Sequence, residues 1–269
     1  MTDRGFEYRG FVVDVDGVLV REREPIPGAA EALGRLRAQG QVVLLTNNST
    51  RSRGDLASRL ASMGMPVAHE MIVTSASIVA TWLADREGRK RVAVLGERGL
   101  EEELAAAGHE LAPLGDDVEW VVVGMDRALT YERLAGAAKS LRRGAQWAAT
   151  NTDGTYPTPE GPVPGAGAMV GALRGVGYEP TIVVGKPNGI AYETALSILG
   201  MRSEEVIVIG DRMETDIVGA SAAGMDSLLV LTGVSQESDA ARDPRPTWIA
   251  EDLQAAAGGR ARRVGKESR

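Results

Sequence analysis

The sequence contains no cysteine. That absence excludes disulfide bonds, a thiolate nucleophile and zinc sites built on cysteine, and it is compatible with a reducing compartment. No stretch reaches the ~18–20 apolar residues that a membrane helix needs, and residues 1–10 lack the apolar core of a secretory signal. We therefore expect a cytoplasmic protein with no membrane partner.

Basic residues are also in deficit, with 30 Lys and Arg against 37 Asp and Glu, for a net charge of -7. Nucleic-acid binding needs a positive surface, so a nucleic-acid partner is not expected. A small phosphorylated metabolite needs only one local cationic pocket and stays compatible with this charge. The two histidines, His69 and His109, fall between predicted elements, and we expect them at the surface rather than in catalysis.

The 269 residues suffice for one large or two ordinary domains. Apolar, β-branched runs near 10–16, 41–46 and 205–209 alternate with helical segments such as 29–39. That alternation predicts an α/β chain with a parallel sheet and right-handed crossovers.

A second strand–helix series begins after a hinge at 88–90. Residues 151–167 contain four prolines and four glycines. This density predicts an irregular loop, and loops of that length are usually functional. The basic tail beyond Gly258 predicts a solvated terminus rather than a nucleic-acid arm; its cations are Arg260, Arg262, Arg263, Lys266 and Arg269.

Two carboxylates, Asp14 and Asp16, stand where the first apolar run ends. While the strand persists, residues two apart point to one face of the sheet. Burying like charges together is costly unless a cation meets them. Ligands of open parallel sheets gather beyond the carboxyl ends of the strands. The pair predicts a Mg²⁺-assisted phosphoryl-transfer site with a carboxylate nucleophile.

Polar groups end two further buried strands. Thr46 and Asn47 follow the second strand, Asp211 follows the 205–209 run, and Lys186-Pro187 opens a predicted helix. Each alone has a simpler reading: a turn former, a helix cap or a solvated lysine. Together they supply a nucleophile, oxygen ligands for Mg²⁺, and a hydroxyl and a lysine for phosphate oxygens.

The motifs Asp14-Val-Asp16-Gly-Val, Leu-Thr46-Asn47-Asn48, Gly-Lys186-Pro187 and Gly210-Asp211-Arg-Met-Glu-Thr-Asp216 resemble the four motifs of haloacid dehalogenase (HAD) superfamily phosphatases. The long insertion between the second and third motifs resembles the NagD-like branch, near its p-nitrophenyl phosphatase, phosphoglycolate phosphatase and sugar phosphatase members. The likeness extends from the first motif to Val234.

The resemblance implies a role for each motif residue. Asp14 is the expected nucleophile, and Asp16 the expected acid and base, which reaches the metal through its backbone carbonyl. Mg²⁺ is the expected cofactor, with Asp14, Asp16 and Asp211 as its ligands and Asp216 in support. The residues expected to bind phosphate or substrate are Thr46, Asn47, Asn48, Lys186, Asn151 and Asp153. For Asn151 and Asp153, turn formation is an equally weighted alternative.

The implied fold is a Rossmann-like, doubly wound parallel sheet core with an inserted α/β cap domain. Residues 1–81 and 182–269 form the expected catalytic core, and 82–181 the cap that selects the substrate. The expected activity is Mg²⁺-dependent hydrolysis of small phosphate monoesters, such as sugar phosphates, phosphoglycolate, glycerol phosphate or nucleotides, through an aspartyl-phosphate. The resemblance also implies a homodimer.

Two other functions remain open at this point. A phosphomutase or phosphotransferase of the same superfamily would share the aspartyl-phosphate but return the phosphoryl group to an organic acceptor. A non-enzymatic, receiver-like phosphate-binding protein would need a phosphorylatable Asp14 and would have no use for Asp16 as an acid.

Overall fold

The computed structural model describes residues 8–21, 24–158 and 160–264. The strands of these residues are β1 Gly10–Val13, β2 Val20–Arg21, β3 Glu24–Pro25, β4 Gln41–Thr46, β5 Ile72–Thr74, β6 Arg91–Leu95, β7 Glu110–Ala112, β8 Trp120–Val123, β9 Gln146–Ala149, β10 Thr155–Tyr156, β11 Val163–Pro164, β12 Ile182–Val183, β13 Val206–Gly210, β14 Asp226–Val230, β15 Trp248–Ala250 and β16 Arg262–Arg263. The α-helices are α1 Ala29–Gln39, α2 Arg53–Ser62, α3 Ser75–Glu87, α4 Arg98–Ala106, α5 Tyr131–Arg142, α6 Ala166–Gly175, α7 Gly189–Leu199, α8 Val218–Ala222 and α9 Leu253–Ala257. The chain divides into two compact units, the first comprising Met1–Thr46, Ser58–Ile72 and Ala191–Arg269, the second Asn47–Ala57 and Val73–Ile190.

The first unit is built on a seven-stranded sheet with the order β16-β15-β14-β13-β1-β4-β5. Strand β1 lies between β13 and β4 and is parallel to both. All four of its residues are buried, as a strand covered on both faces requires. The strand order confirms the doubly wound parallel sheet predicted from the sequence.

The second unit contains a five-stranded sheet with the order β12-β9-β8-β6-β7, in which every neighbouring pair is parallel. Its core is one buried cluster that includes Val121, Trp147 and Leu173. Strand residues and helix residues share this cluster, so burial of apolar surface holds the helices against the sheet.

The segment 151–167 is more regular than predicted. Thr155 and Tyr156 pair antiparallel with Pro164 and Val163, and α6 begins already at Ala166. A two-stranded ribbon leaves one side of each strand without ladder partners, so the missing N–H of Pro164 does not prevent pairing. The expectation of an irregular loop throughout is therefore wrong.

Two further expectations require correction. Arg262 and Arg263 are not a frayed terminus but form strand β16 against β15, with the Arg263 guanidinium 5.7 Å from the centre of the Trp248 ring. Lys266 and Arg269 lie outside the described residues. His109 is buried rather than at the surface, and both of its ring nitrogens have backbone partners: Lys90 N donates to Nδ1 at 3.1 Å, and Nε2 lies 3.0 Å from Ala80 O.

Helix α7 begins later than the predicted start at Lys186-Pro187. Asn188 Oδ1 accepts a hydrogen bond from Ile190 N at 3.1 Å, which satisfies a backbone donor at the beginning of the helix. Across the described residues, no helix combines the length and apolar character needed to cross a membrane.

Substitution of Gly99 tests how closely helix α4 packs against the backbone of Arg51. A Cβ added there would lie 2.3 Å from the carbonyl carbon of Arg51, whereas nothing lies within 4 Å of a Cβ added at Gly171 in α6. We expect Gly99→Ala to lower the free energy of unfolding by about 1–3 kcal/mol, because the backbone of Arg51 must move. The matched Gly171→Ala should raise it by about 0.5–1 kcal/mol, through helix propensity alone. Urea denaturation followed by circular dichroism measures both; equal effects of the two substitutions would contradict the packing.

Candidate active site

Three strand ends meet at the carboxyl edge of the first unit's sheet. Val13 is in register with Ile209 of β13 and with Leu44 of β4, so the three strands finish at nearly the same level. Asp14 N still donates to Ile209 O at 2.9 Å. Asp14, Thr46 and Asp211, which the sequence separates widely, therefore share one edge.

Three carboxylates form a buried cluster at this edge. Oxygens of Asp14, Asp211 and Asp216 all lie within 4.8 Å of one another. The three residues are 7%, 4% and 1% exposed. Charged carboxylates so close together repel one another strongly in a buried place, and a cation bound among them would offset that repulsion.

Backbone amides orient two members of the cluster. Val234 N donates to Asp211 Oδ2 at 2.7 Å, and Arg212 N donates to Asp216 Oδ2 at 3.2 Å. Asp216 lies in a π-helical turn, Met213–Ile217, which leads directly into helix α8. The Tyr192 hydroxyl donates to Thr215 O at 2.7 Å and ties this turn to α7.

Two glycines leave the space that Asp211 occupies. A Cβ on Gly233 would lie 1.8 Å from Asp211 Oδ2, and one on Gly17 would lie 2.5 Å from its Cγ. Gly17 also has a φ of 89°, in the left-handed region that favours glycine. Gly17 thus leaves room for the carboxylate of Asp211, the residue that follows strand β13.

Asp16 has a different environment from Asp14. The sequence predicted that the two aspartates point to one face of the sheet while the strand persists. Strand β1 ends at Val13, before either aspartate, so they do not share a strand face. Asp16 bridges to Val20, and its Oδ2 lies 3.5 Å from the Thr46 hydroxyl, which donates. Its carboxylate is not a member of the cluster found among the described residues.

In the second unit, Asn47 holds the backbone of Lys186. Lys186 N donates to Asn47 Oδ1 at 2.8 Å, and Asn47 Nδ2 donates to Lys186 O at 3.0 Å. The same Nδ2 donates to Asp153 Oδ2 at 3.0 Å. Lys186 is only 3% exposed, so this arrangement positions a buried lysine.

The remaining predicted substrate residues make local contacts. Asn151 Nδ2 donates to Asn47 O at 2.8 Å, and Asn151 Oδ1 accepts from Asp153 N at 3.0 Å. Asn48 Oδ1 accepts from the backbone and hydroxyl of Thr50. These bonds favour the turn-forming alternative for Asn151; substrate contact by Asn48, Asn151 and Asp153 stays a prediction.

Sequence reasoning missed several supporting groups. The Ser75 hydroxyl donates to Asn47 O at 2.6 Å, and the Ser235 hydroxyl accepts from Met213 N at 3.0 Å. The 231–235 segment follows the buried strand β14. The criterion that identified Asp211, polar residues directly after a buried strand, would also have drawn attention to it.

Asn47 provides a test of how Lys186 is positioned. Asn47→Asp replaces the amide donor by a carboxylate that faces Lys186 O and Asp153. We expect the dissociation constant for inorganic phosphate to rise roughly 10- to 100-fold, since two hydrogen bonds become repulsive. Isothermal titration calorimetry measures this constant.

Asn188→Asp is the matched control. It adds the same charge two residues from Lys186, while the bond from Ile190 N needs only an acceptor, which a carboxylate also provides. Equal weakening by both substitutions would mean that added negative charge, and not the lost donor, is responsible.

Comparison with known proteins identifies the family. The haloacid dehalogenase-like hydrolase model matches residues 11–110, and a second HAD-hydrolase-like model matches 183–256. The chain is 34% identical over 249 residues to the 5′-nucleotidase YutF of Bacillus subtilis, covering 91% of this chain and 96% of that protein.

Solved structures agree with the sequence comparison. The p-nitrophenyl phosphatase from Archaeoglobus fulgidus matches with a TM-score of 0.88 and 34% identity, over 94% of this chain and 99% of that one. A glycerol phosphate phosphatase from Mycobacterium tuberculosis in complex with magnesium matches with a TM-score of 0.86 and 37% identity, over 94% and 78%. The chain belongs to the haloacid dehalogenase-like hydrolases and is one of their phosphoric monoester hydrolases, of the NagD-like branch.

Proposed function

We propose that this phosphatase depends on Mg²⁺ and hydrolyses small phosphate monoesters through an aspartyl-phosphate on Asp14. The observation that carries the proposal is the buried cluster of Asp14, Asp211 and Asp216 at the end of β1. A carboxylate nucleophile divides a very slow hydrolysis into two easier steps. Because the carboxylate and the phosphate are both negatively charged, positive charge nearby is needed to offset their repulsion.

The donor set of the cluster suits Mg²⁺. All its side-chain ligands are carboxylate oxygens, which hard cations prefer, and the chain has no thiolates that would favour a softer metal. Asp14, Asp211 and the backbone carbonyl of Asp16 would hold the ion, with Asp216 in support. When bound, the ion supplies positive charge that offsets the repulsion between the nucleophile and the phosphate.

Two side chains of the first unit have separate chemical roles: Asp14 attacks phosphorus, and Asp16 transfers protons. In the first step the Asp14 carboxylate forms a bond to phosphorus while the ester P–O bond breaks, and Asp16 gives its proton to the leaving oxygen. In the second step Asp16 takes a proton from water, whose oxygen bonds to phosphorus as the bond to Asp14 breaks. The contact of Asp16 with the Thr46 hydroxyl, rather than with the carboxylate cluster, supports this separate role.

Other proposed roles concern substrate binding. Lys186, the Thr46 hydroxyl and the backbone N–H of Asn47 hold the phosphate oxygens as charge-assisted donors. Residues 82–181 form the cap domain, whose 150–167 segment selects among small phosphorylated metabolites. We also propose a cytoplasmic location and a homodimeric assembly, in agreement with the motif resemblance.

Phosphate release from p-nitrophenyl phosphate tests the proposal. We expect release with Mg²⁺, loss of release with EDTA, and recovery when Mg²⁺ is returned in excess. Asp14→Asn should reduce turnover on the order of 10⁴- to 10⁶-fold, because the amide is a poor nucleophile.

Asp55→Asn is the control for loss of a carboxylate. Asp55 is exposed on α2 and pairs with Arg98 at 3.7 Å, so its variant should retain parental turnover. Turnover of Asp14→Asn close to the parental level would refute its role as nucleophile. Full activity in EDTA would refute the requirement for a divalent ion.

A further inference from the structure

Ser75 is a buried serine whose hydroxyl reaches outside its own helix. It is the first residue of α3 and is 0% exposed. A capping box already satisfies the start of α3, because Ser77 N donates to Thr74 Oγ1 at 3.0 Å and Thr74 N donates to Ser77 Oγ at 3.0 Å. The Ser75 hydroxyl instead donates to Asn47 O at 2.6 Å, across 28 positions of the sequence. This long-range bond offsets the cost of burying the hydroxyl.

The carbonyl of Asn47 receives two hydrogen bonds. Besides the Ser75 hydroxyl, Asn151 Nδ2 donates to it, at 2.8 Å. A carbonyl oxygen has two lone pairs, so these two donors use its full capacity. Ser75 begins α3, Asn151 follows β9, and both are buried. The two donors therefore fix the backbone of Asn47 from two different elements.

The side chain of Asn47 transmits this placement to Lys186. Its Oδ1 accepts from Lys186 N at 2.8 Å, and its Nδ2 donates to Lys186 O at 3.0 Å. One amide thus binds both backbone polar groups of the lysine, which fixes the position and the orientation of that backbone. Every residue in this series of contacts belongs to the second unit.

The placement of the Lys186 backbone decides where its ammonium group can reach. Lysine carries a point charge on a flexible four-carbon chain, so the side chain has little directional preference of its own. Small displacements of a group that holds a substrate can reduce reaction rates strongly. Lys186 is 3% exposed, so its backbone and its surroundings supply the rigidity that the side chain lacks.

We propose that Ser75 is a positioning residue of this phosphatase and holds Lys186 in place through Asn47. The Ser75 hydroxyl fixes the Asn47 carbonyl, and the Asn47 side chain fixes the backbone of Lys186. Ser75 acts through Asn47 and needs no contact with phosphate. This proposal rests on the proposed function, in which Lys186 holds a phosphate oxygen, and adds to it a residue outside the four motifs.

Ser75→Ala tests the proposal, with Ser77→Ala as its matched control. Each substitution removes one buried hydroxyl from the start of α3, but the Ser77 hydroxyl belongs to the capping box. We expect Ser75→Ala to raise the KM for p-nitrophenyl phosphate and the dissociation constant of inorganic phosphate roughly 5- to 10-fold, the factor that one hydrogen bond represents. Ser77→Ala should lower the temperature of thermal unfolding and leave both constants at the parental value. Steady-state kinetics and isothermal titration calorimetry measure the two constants.

Ser75→Cys is a second variant that separates the hydrogen bond from packing. The thiol fills the space of the hydroxyl but is only a weak donor. It should raise the same two constants, and it tests the proposal even where Ser75→Ala fails to fold.

Asn47→Ala supplies a background in which the connection to Lys186 is missing. This variant keeps the backbone carbonyl that accepts from Ser75 but lacks the amide that binds Lys186. Adding Ser75→Ala to it should raise neither constant further, because residues that act through one another are not additive. A hydroxyl with a merely structural role would have the same effect in both backgrounds.

The outcomes separate this proposal from the proposed function. In a parent that releases phosphate, three results would overturn the role of Ser75 alone: parental constants in both Ser75 variants, equal changes in Ser75→Ala and Ser77→Ala, or a further rise when Ser75→Ala is added to Asn47→Ala. A parent that releases phosphate from no ester would overturn the proposed function itself.

Discussion

The mutual repulsion of three buried carboxylates is the constraint on which the first unit depends. Asp14, Asp211 and Asp216 approach within 4.8 Å only because β1 and β13 end in register and a π-helical turn carries the third aspartate to the same edge. Backbone amides hold Asp211 and Asp216, and Gly17 and Gly233 leave room for one of them. The amide bonds stabilise the charged carboxylates, whereas the crowding of the three carboxylates is costly, and a cation held by them would offset that cost.

A second arrangement positions the buried Lys186. Asn47 lies immediately after Thr46 in the sequence, yet its side chain is committed to Lys186 and Asp153 of the second unit. The consecutive residues Thr46 and Asn47 therefore serve different units. The Thr46 hydroxyl donates to Asp16, whereas the side-chain amide of Asn47 fixes the backbone of Lys186.

Much of this architecture could be predicted from the sequence, for identifiable reasons. Strand β4 and helix α1 have the predicted bounds, because a continuous apolar run and a helix that ends at Gly40 are local signals. The motif residues at strand ends were identified for the same reason, because a polar residue directly after an apolar run is a local pattern in the sequence.

Long-range pairing was not predictable in this way. The hydrogen bond between Lys186 N and Asn47 Oδ1 joins residues 139 positions apart, and no local sequence pattern predicts it. The β10–β11 ribbon forms despite its prolines, and the buried His109 is satisfied by two backbone groups that are distant from it in the sequence. Glu97 and Arg127 belong to none of the motifs, and the parallel pairing of β6 with β8 brings their strand ends together.

The central claim is that Asp14 carries the phosphoryl group. Rapid quenching during turnover of p-nitrophenyl phosphate, followed by borohydride reduction and peptide mass spectrometry, locates an acyl phosphate directly, because reduction converts the phosphorylated carboxylate to an alcohol. The account predicts the alcohol at position 14 and at no other carboxylate. Reduction at a different aspartate, or turnover with no reducible intermediate at all, would contradict it.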